Sequence, residues 1–368
     1  MEIRKINHSP SRRVLYYDVL RIIGTIAVIM LHCAAEKWRG TNGIEYKWQV
    51  FNAYNSMVRF CVPLFVMLTG STMGNPDKEL SVEKLWRKNI FRLVVAYIFW
   101  HLFYVFTTPQ SLSTLLKAFP DEVLTMLRAF SGSHYHLWFM FMIICIYTII
   151  PLLRLVTKSD KGLKYAIRIG IIFSFIIPTI LNFPIISTQR HIAVIFEFFQ
   201  NHFFHLTSYH LNFEFITYFF VGYYLSTLKI DKKRMRAFLC IGLLGWLSTL
   251  LLSAFGAWYN RSSFAFYEYN YFNVFCEAIG VYVVTKYLVE NHTFKNGTVK
   301  MIRMISNYSF GIYLVHVFVL ERLTDLGFTT LRFNPLIATP GKAILTFIIS
   351  LILSAAIHRI PILRKYIV

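Results

Sequence analysis

The sequence predicts an all-α integral membrane protein with about ten transmembrane helices and both termini in the cytoplasm. Of its 368 residues, 56% are hydrophobic and only 15% are charged, and the mean hydropathy is +0.51. Apolar runs of about 20 residues, long enough to cross a bilayer, follow one another along the chain. Lysine and arginine are concentrated in every second loop, which is the pattern expected when those loops stay on the cytoplasmic side.

Ten spans can be placed by hydropathy. They cover 16–35, 52–74, 89–107, 136–155, 165–183, 211–228, 237–256, 271–289, 305–325 and 343–358. We therefore expect one membrane domain over 16–358, preceded by a basic cytoplasmic tail at 1–15 and followed by a short cytoplasmic tail at 359–368.

The formal net charge of +20 has its explanation in this topology. In a soluble protein such a charge would suggest nucleic acid as a partner. Here the amino-terminal tail and the second, fourth, sixth and eighth loops each carry four or five Lys or Arg residues. The charge therefore indicates which loops face the cytoplasm, and we expect membrane lipids but no nucleic acid among the partners.

The five cysteines are predicted to be small buried apolar side chains. All five lie inside apolar segments, and none has C-x-x-C spacing: Cys33, Cys61, Cys145, Cys240 and Cys276. This distribution argues against a disulfide framework or a metal cluster. We expect no metal.

The first span carries three ionisable residues, Asp18, Arg21 and His32. Arg21 and His32 fall within about 20° of one helix face and about 16 Å apart along the axis, and Asp18 is in reach of Arg21. These groups are costly in a membrane and usually functional. Arg21 can bind an anion, and His32 can act as a general base near pH 7. The alternative is that Asp18 and Arg21 anchor the helix at the interface and that His32 is a satisfied core residue.

The second span places Arg59 at a depth close to that of His32, because this helix runs back inward. A purely structural arginine at that depth would be expensive, so Arg59 is a candidate catalytic residue. In the same span, Pro63 can kink the helix and Gly70 can allow close approach of a neighbour.

Polar residues in the fourth and eighth spans are further candidates. His136 and Trp138 open the fourth span at the outer interface, where an aromatic belt is the alternative interpretation. Glu277 in the eighth span is a carboxylate with no obvious local partner. The sequence leaves open whether Glu277 pairs with an arginine or is neutral.

The ninth span carries Ser306, Asn307, Ser309, Tyr313 and His316 in an apolar helix. Asn307 and His316 are too polar to face lipid, so we expect them to face the interior of the bundle.

Two loops on the outer side contain aromatic and charged residues. The loop at 191–210 has the composition of an amphipathic interfacial helix, with part of an acceptor-binding surface as the alternative. The segment at 112–130 is predicted to be a second interfacial piece.

In combination, four motifs resemble the acyltransferase family 3 of bacterial multi-pass membrane enzymes, and the resemblance spans nearly the whole chain. They are the Arg21-x10-His32 pair preceded by Asp18, the RF-x-VPLF-x-M-x-T-G run over 59–70, HLWF over 136–139, and S-x-G-I-Y-L-x-H over 309–316. One departure is Thr69, where the family often has serine.

The resemblance implies transfer of an acyl group, usually acetyl from acetyl-CoA on the cytoplasmic side, to a hydroxyl of a cell-surface polysaccharide or lipid-linked glycan. His32, Arg21 and Arg59 are the expected catalytic residues, with His32 as the base and Arg59 stabilising the oxyanion. Expected substrate-binding residues are Asp18, His136, Trp138, Glu277, Asn307, Tyr313 and His316. We expect the donor acyl-CoA to be a substrate, no tightly bound cofactor, and a location in the bacterial cytoplasmic membrane.

A secondary transporter or glycan flippase is the alternative function, because the same polar residues could line a translocation path. Transporters often contain inverted repeats and broken helices. The sequence has no recognisable repeat, although Pro63 and Pro178 could break their spans.

Overall fold

The computed structural model describes residues 13–107, 134–181, 213–258 and 265–368. Within these residues every long regular element is a helix, as predicted. Residues 1–12 of the basic tail and the two outer segments predicted to be interfacial, 112–130 and 191–210, lie outside the described residues.

The helices of the described residues are numbered α1 to α12 in chain order. They are α1 (Leu15–Ala35), α2 (Tyr46–Met57), α3 (Cys61–Met73), α4 (Val82–Thr107, with a π-helical segment at Leu85–Ile90), α5 (Trp138–Thr157), α6 (Asp160–Ile171, continued by a π-helical segment at Ile172–Ile176 and by Ile177–Leu181), α7 (Phe213–Thr227), α8 (Lys232–Trp258), α9 (Phe272–Glu290), α10 (Asn296–Asp325), α11 (Pro335–His358) and α12 (Pro361–Tyr366).

Nine segments of the described residues are helical, long and apolar enough to cross a membrane, with α2 and α3 counted as one. The predicted span at 211–228 corresponds to α7, which the structure describes over 15 residues. The chain is therefore a multi-pass membrane protein built from helices.

Several helices begin before their predicted apolar spans. α10 begins at Asn296 and α11 at Pro335, whereas the predicted spans began at 305 and 343. Hydropathy detects only the part of a helix that the bilayer requires to be apolar. At α11 the start is set by local chemistry, since the Asn334 side chain accepts a hydrogen bond from the Leu336 amide and proline occupies the first turn.

The second predicted span is broken at Arg59. α2 ends at Met57 and α3 begins at Cys61, and the chain between them forms tight turns in which the Cys61 amide donates to the Val58 carbonyl. Pro63 explains the position of the break. Proline has no N–H to donate to the carbonyl four residues earlier, which is that of Arg59, and its ring would clash with that carbonyl.

α1 lies in the middle of the bundle, in contact with α2, α3, α9, α10 and α11. The core continues from α3 to α7, where two glycines allow backbone contact. A Cβ atom at Gly70 would lie 1.9 Å from the Phe219 carbonyl oxygen, and one at Gly222 would lie 2.0 Å from the Met67 carbonyl oxygen. The close approach predicted for Gly70 is therefore present, with α7 as the neighbour.

The carboxyl-terminal segment packs against α4. The Tyr366 ring lies 6.5 Å from that of Phe91, and the indole N–H of Trp100 donates to the Ile367 carbonyl at 3.0 Å. The segment that follows the last predicted span is thus partly helical and in contact with the bundle.

Candidate active site

Two polar clusters lie near opposite ends of α1, and α10 contributes to both. At one end the Ser306 hydroxyl donates to Asp18 Oδ1 at 2.7 Å. At the other end the rings of His32 and His316 have centroids 5.3 Å apart. Since α1 meets an earlier part of α10 at Asp18 and a later part at His32, the two helices run parallel.

The Asp18 cluster consists of Arg13, Asp18, Arg21, Ser306 and Asn307. Asp18 is completely buried. Arg13 donates from Nε and Nη2 to the two carboxylate oxygens at 2.7 and 2.5 Å, and Arg21 Nη1 lies 3.2 Å from Oδ1. The predicted pairing of Asp18 with Arg21 is confirmed, and Arg13 completes it. A buried carboxylate requires such partners, because an unpaired charge in the interior is very costly.

Asn307 lies at the exposed edge of the Asp18 cluster. Arg13 Nη1 donates to Asn307 Oδ1 at 2.7 Å. The Asn307 side chain is itself exposed, although it lines a cavity in the bundle. The Asn307 side chain is therefore bonded to Arg13 and open to the cavity. It is not enclosed in the interior of the bundle, as was expected from the sequence.

A cavity of about 450 Å³ extends from the Asp18 cluster to Tyr313, and its lining does not include the four histidines described below. Arg13, Arg21 and Asn307 line it at the Asp18 cluster. Its walls include Phe65, Leu68, Thr69, Leu93 and Ile143, and Phe139 and Tyr313 line it toward the histidines. The cavity thus has cations at one end, a largely apolar middle, and a phenol at the other end.

The histidine cluster consists of His32, His134, His136 and His316. His134 and His136 lie in the turn before α5, where the Leu137 amide donates to the His134 carbonyl at 2.8 Å. The ring centroid of His136 lies 5.1 Å from that of His134 and 5.5 Å from that of His316. The structure therefore brings together three predicted site residues, His32, His136 and His316, from separate segments.

Hydrogen bonds hold the cluster in place. His134 Nδ1 lies 3.0 Å from His136 Nδ1, and His134 Nε2 lies 3.0 Å from Glu321 Oε1. His316 Nδ1 bonds to the Tyr313 carbonyl at 2.6 Å, and the Tyr313 hydroxyl donates to the His136 carbonyl at 2.6 Å. Tyr313, a predicted substrate-binding residue, thus joins α10 to the turn before α5.

Two imidazole nitrogens in the cluster have no hydrogen-bond partner among the described residues. Nε2 of His136 and Nε2 of His316 are buried, and neither makes a hydrogen bond to any described residue. Within the part of the chain that the structure describes, no group of three or more His, Cys, Asp or Glu side chains has the geometry of a metal site.

Arg59 lies in the break between α2 and α3, beside the histidine cluster. Its guanidinium carbon lies 4.6 Å from the centroid of the Tyr267 ring, and its charge acts on both His32 and Glu277. Both carboxylate oxygens of Glu277 are buried and make no hydrogen bond to the described residues. The sequence left open whether Glu277 pairs with an arginine or is neutral. In the part of the chain that the structure describes, Arg59 is near Glu277 but forms no ion pair with it.

The tyrosines around Arg59 belong to the segment between α8 and α9. Burial raises the pKa of the Tyr267 phenol to about 12, with Ser253 and the positive charge of Arg59 opposing the effect. Burial also raises the pKa of Tyr269. Both phenols are therefore neutral near pH 7 and can donate hydrogen bonds; Tyr267 donates to Asn52 Oδ1.

Trp138 lies apart from both clusters. Its side chain is 39% exposed, and its ring stacks on that of Tyr269 with a centroid distance of 5.8 Å. His136 points inward from the same turn, so two residues that were adjacent candidates in the sequence have different environments. Trp138 has the exposure expected of an aromatic belt residue.

Sequence reasoning did not assign three residues of the site, Arg13, His134 and Glu321. Arg13 belongs to the basic amino-terminal tail, and His134 lies two residues before His136. The available signal for His134 was its spacing of two residues from His136. Glu321 lies in α10 beyond His316, and no local pattern connects it with the turn before α5.

One comparison with known proteins identifies a family for this chain. A family model described as an acyltransferase domain, Acyl_transf_3, matches residues 14–359, which is nearly the whole chain. No curated protein and no solved structure shows a significant match. The matched range contains the histidine cluster and every residue of the Asp18 cluster except Arg13. The chain therefore belongs to the acyltransferase 3 family of membrane proteins.

Proposed function

We propose that the protein is a membrane O-acyltransferase that moves an acyl group, acetyl in the first instance, from cytoplasmic acyl-CoA to a hydroxyl of a cell-surface polysaccharide or lipid-linked glycan. The observation that carries the proposal is the cavity that runs from the Asp18 cluster to Tyr313 beside the histidine cluster. Membership of the acyltransferase 3 family supports acyl transfer, and the identities of donor and acceptor belong to the proposal.

The Asp18 cluster is suited to the phosphate end of the donor. Arg13 and Arg21 line the cavity mouth, and their side chains are 39% and 36% exposed. Guanidinium groups bind phosphates through several parallel hydrogen bonds. The apolar walls then suit the long, narrow pantetheine arm, which would carry the thioester toward Tyr313.

The histidine cluster is suited to the transfer step. His32 takes the proton from the acceptor hydroxyl as its oxygen attacks the thioester carbonyl carbon. Arg59 stabilises the negative oxygen that forms, a contribution commonly worth about 3–4 kcal/mol. The carbon–sulfur bond then breaks, and the proton passes to the thiolate, so that the products are the ester and free CoA thiol.

Ten crossings with cytoplasmic termini are part of the proposal. The parallel run of α1 and α10 supports this count, because the first and ninth spans of a chain that crosses alternately point the same way. Counting α7 as a crossing makes α10 the ninth span. With the positive-inside rule, the Asp18 cluster faces the cytoplasm and the histidine cluster faces the outside of a bacterial cytoplasmic membrane.

A transporter or glycan flippase is the second candidate, and the break between α2 and α3 favours it. Discontinuous helices with a charged residue at the break are common at transporter binding sites. The two functions differ in what becomes of the acyl group, since only the enzyme transfers it covalently.

Labelled acetyl-CoA separates the two candidates. Inside-out membrane vesicles that contain the protein and the host's envelope glycans are supplied with acetyl-CoA labelled in the acetyl group. We expect label in the glycan with the wild type and none with His32→Ala, while His292→Ala, which changes an exposed histidine, remains active. Solute uptake without labelled glycan, or full labelling by His32→Ala, would contradict the enzyme assignment.

A further inference from the structure

Glu321, His134 and His136 form a continuous hydrogen-bonded chain that ends in the core of the histidine cluster. The two imidazoles are joined through their Nδ1 atoms at 3.0 Å, and His134 Nε2 lies 3.0 Å from the Glu321 carboxylate. Exposure decreases along the chain, from 27% for the Glu321 side chain and 12% for that of His134 to 2% for His136. The chain thus leads from a partly hydrated carboxylate to a fully buried imidazole.

The chemistry of these contacts assigns the hydrogen positions for the state in which His134 is neutral. A carboxylate only accepts hydrogen bonds, so His134 Nε2 carries the hydrogen that faces Glu321. In a neutral His134 the Nδ1 atom is then bare and must accept, which requires His136 to donate from Nδ1. His136 Nε2 is consequently bare. It is the same atom that lies buried without a partner among the described residues.

His316 presents a second bare nitrogen by the same reasoning. Its Nδ1 faces the Tyr313 carbonyl, which can only accept, so the hydrogen is on Nδ1 and Nε2 is bare. A buried acceptor that lacks a donor is costly to keep in that state. The cluster that contains His32 thus holds two nitrogen atoms that can each accept a proton.

We propose that Glu321 and His134 are positioning residues for acyl transfer, which hold His136 with Nε2 bare and take up the positive charge produced when His32 is protonated. The proposal rests on the proposed function. In many enzymes a third group orients the catalytic base. Here a buried hydrogen-bonded chain of three residues has that role.

The proton balance along the relay is closed. The proton from the acceptor hydroxyl reaches His32 and passes to the bare Nε2 of His136 by way of His316, whose ring centroid lies 5.3 Å from that of His32 and 5.5 Å from that of His136. As His136 gains it, the hydrogen on His136 Nδ1 moves to His134 Nδ1, and His134 becomes a cation paired with Glu321. The reverse movement returns one proton to the leaving thiolate. The charge thereby rests on a partly exposed ion pair and not on a buried, unpaired imidazole, which would be far more costly.

Other titratable groups also face the relay, and the test must take them into account. From α1 there is His32; from α4, Tyr104, whose ring stacks on His134 at 4.4 Å; from the turn before α5, Tyr135; and from α10, Tyr313 and His316. The nearby Arg322 is turned toward Asp325 at 3.0 Å, so Glu321 is the carboxylate bonded to the relay.

The first test is Glu321→Gln, with Asp325→Asn as the matched control on the same helix. We expect kcat for acetyl transfer from acetyl-CoA to fall about tenfold to a hundredfold, which is part of the contribution of a general base. KM for acetyl-CoA stays within about twofold, because the donor phosphates bind elsewhere. The acid limb of the pH–rate profile moves to lower pH, because the carboxylate no longer stabilises the protonated cluster. Asp325→Asn leaves all three unchanged.

The second test is coupling between the relay residues. If Glu321 acts through His134, the double variant Glu321→Gln/His134→Gln is no slower than the slower single variant. Multiplicative losses, or a pH–rate profile that Glu321→Gln leaves in place, would overturn the relay.

The third test does not depend on activity. Nitrogen-15 NMR of histidine-labelled wild type identifies the His136 signal as the one that disappears in His136→Asn. We expect this signal to be that of an imidazole with a protonated Nδ1 and a bare Nε2. A signal with Nε2 protonated would overturn the proposal. If the wild type transferred no acyl group, the proposed function would fail while this measurement still decided the arrangement of the relay.

Discussion

His32 on α1 lies against His316 on α10, with the two ring centroids 5.3 Å apart. His316 is completely buried, whereas the His32 side chain is partly exposed. His32 is thus the less buried of the two residues, which suits it to meet the acceptor while His316 supports it. This relationship separates two histidines that the sequence presents as similar candidates within apolar helices.

His316→Asn is expected to slow acyl transfer about a hundredfold while the protein still folds. The asparagine keeps a polar group near the Tyr313 carbonyl but removes the bare nitrogen beside His32, and general base catalysis contributes about 10²–10⁴. Initial rates with acetyl-CoA measure the loss, and gel filtration in detergent checks the fold. His292→Asn, at an exposed position, is the control; an equal loss there, or no loss in His316→Asn, would argue against a role for His316.

Arg21→Gln is expected to raise KM for acetyl-CoA about tenfold or more, with a smaller effect on kcat. One hydrogen bond from a charged group to phosphate is worth about 1.5–3 kcal/mol. Folding is expected to survive, because Asp18 keeps its bonds to Arg13 and Ser306.

Arg87→Gln is the matched control for this change. Arg87 is 82% exposed and pairs with Glu83 at 3.2 Å on the surface, and it does not line the cavity. Initial rates over a range of acetyl-CoA concentrations distinguish the two variants. Equal changes in KM for both would show a general effect of surface charge and not a donor site.

The membrane spans could be predicted because the bilayer imposes a length and an apolar composition that a sequence displays directly. The pairing of Asp18 with Arg21 could also be predicted, since residues three apart on a helix are neighbours. The break at Arg59 was only partly foreseeable. Pro63 indicated a kink, but whether a helix bends or ends before a proline depends on the packing around it.

The relay and the full Asp18 cluster could not be predicted, because each joins residues distant in the sequence. Glu321 contacts His134 only after α10 has packed beside the turn that precedes α5. Lys342 illustrates the same limit for charge counting. Hydropathy places it just outside the last span, whereas in the structure it lies within α11 with its side chain 4% exposed.

Gly70→Ala and Gly222→Ala are each expected to destabilise the protein by about 1–3 kcal/mol or more, as overpacking does. The added Cβ atoms would lie 1.9 and 2.0 Å from carbonyl oxygens of the opposite helix, so α3 and α7 must separate. Thermal denaturation in detergent measures the change. Gly341→Ala is the control, since nothing lies within 4 Å of its Cβ position, and it should stabilise α11 by up to about 1 kcal/mol. Equal melting temperatures for Gly70→Ala and Gly341→Ala would contradict the packing described.

A buried ion pair between Glu36 and Lys342 joins α1 to α11 one turn beyond His32. Lys342 Nζ lies 2.8 Å from Glu36 Oε2 and donates to the Thr324 hydroxyl at 2.6 Å, and that hydroxyl donates to Glu36 Oε1 at 2.9 Å. The side chains of Lys342 and Glu36 are only 4% and 8% exposed. The pair therefore ties α1, α10 and α11 together near the histidine cluster.

Lys342→Met is expected to lower the free energy of unfolding by about 3–5 kcal/mol, because it leaves the Glu36 carboxylate buried and unpaired. Glu36→Gln should cost a similar amount, and the double variant should recover a large part of it, since removing both charges removes the unpaired one. Thermal denaturation of the four proteins gives the coupling energy.

Lys164→Met is the control, because it breaks an exposed pair with Asp160 worth at most about 0.5 kcal/mol. If Lys342→Met were no more destabilising than Lys164→Met, the buried pair would not hold these helices together. If Lys342→Met is the more destabilising of the two, acetyl transfer should also fall in the single variants Lys342→Met and Glu36→Gln and return in the double variant. The reason is that the position of His32 depends on the same end of α1.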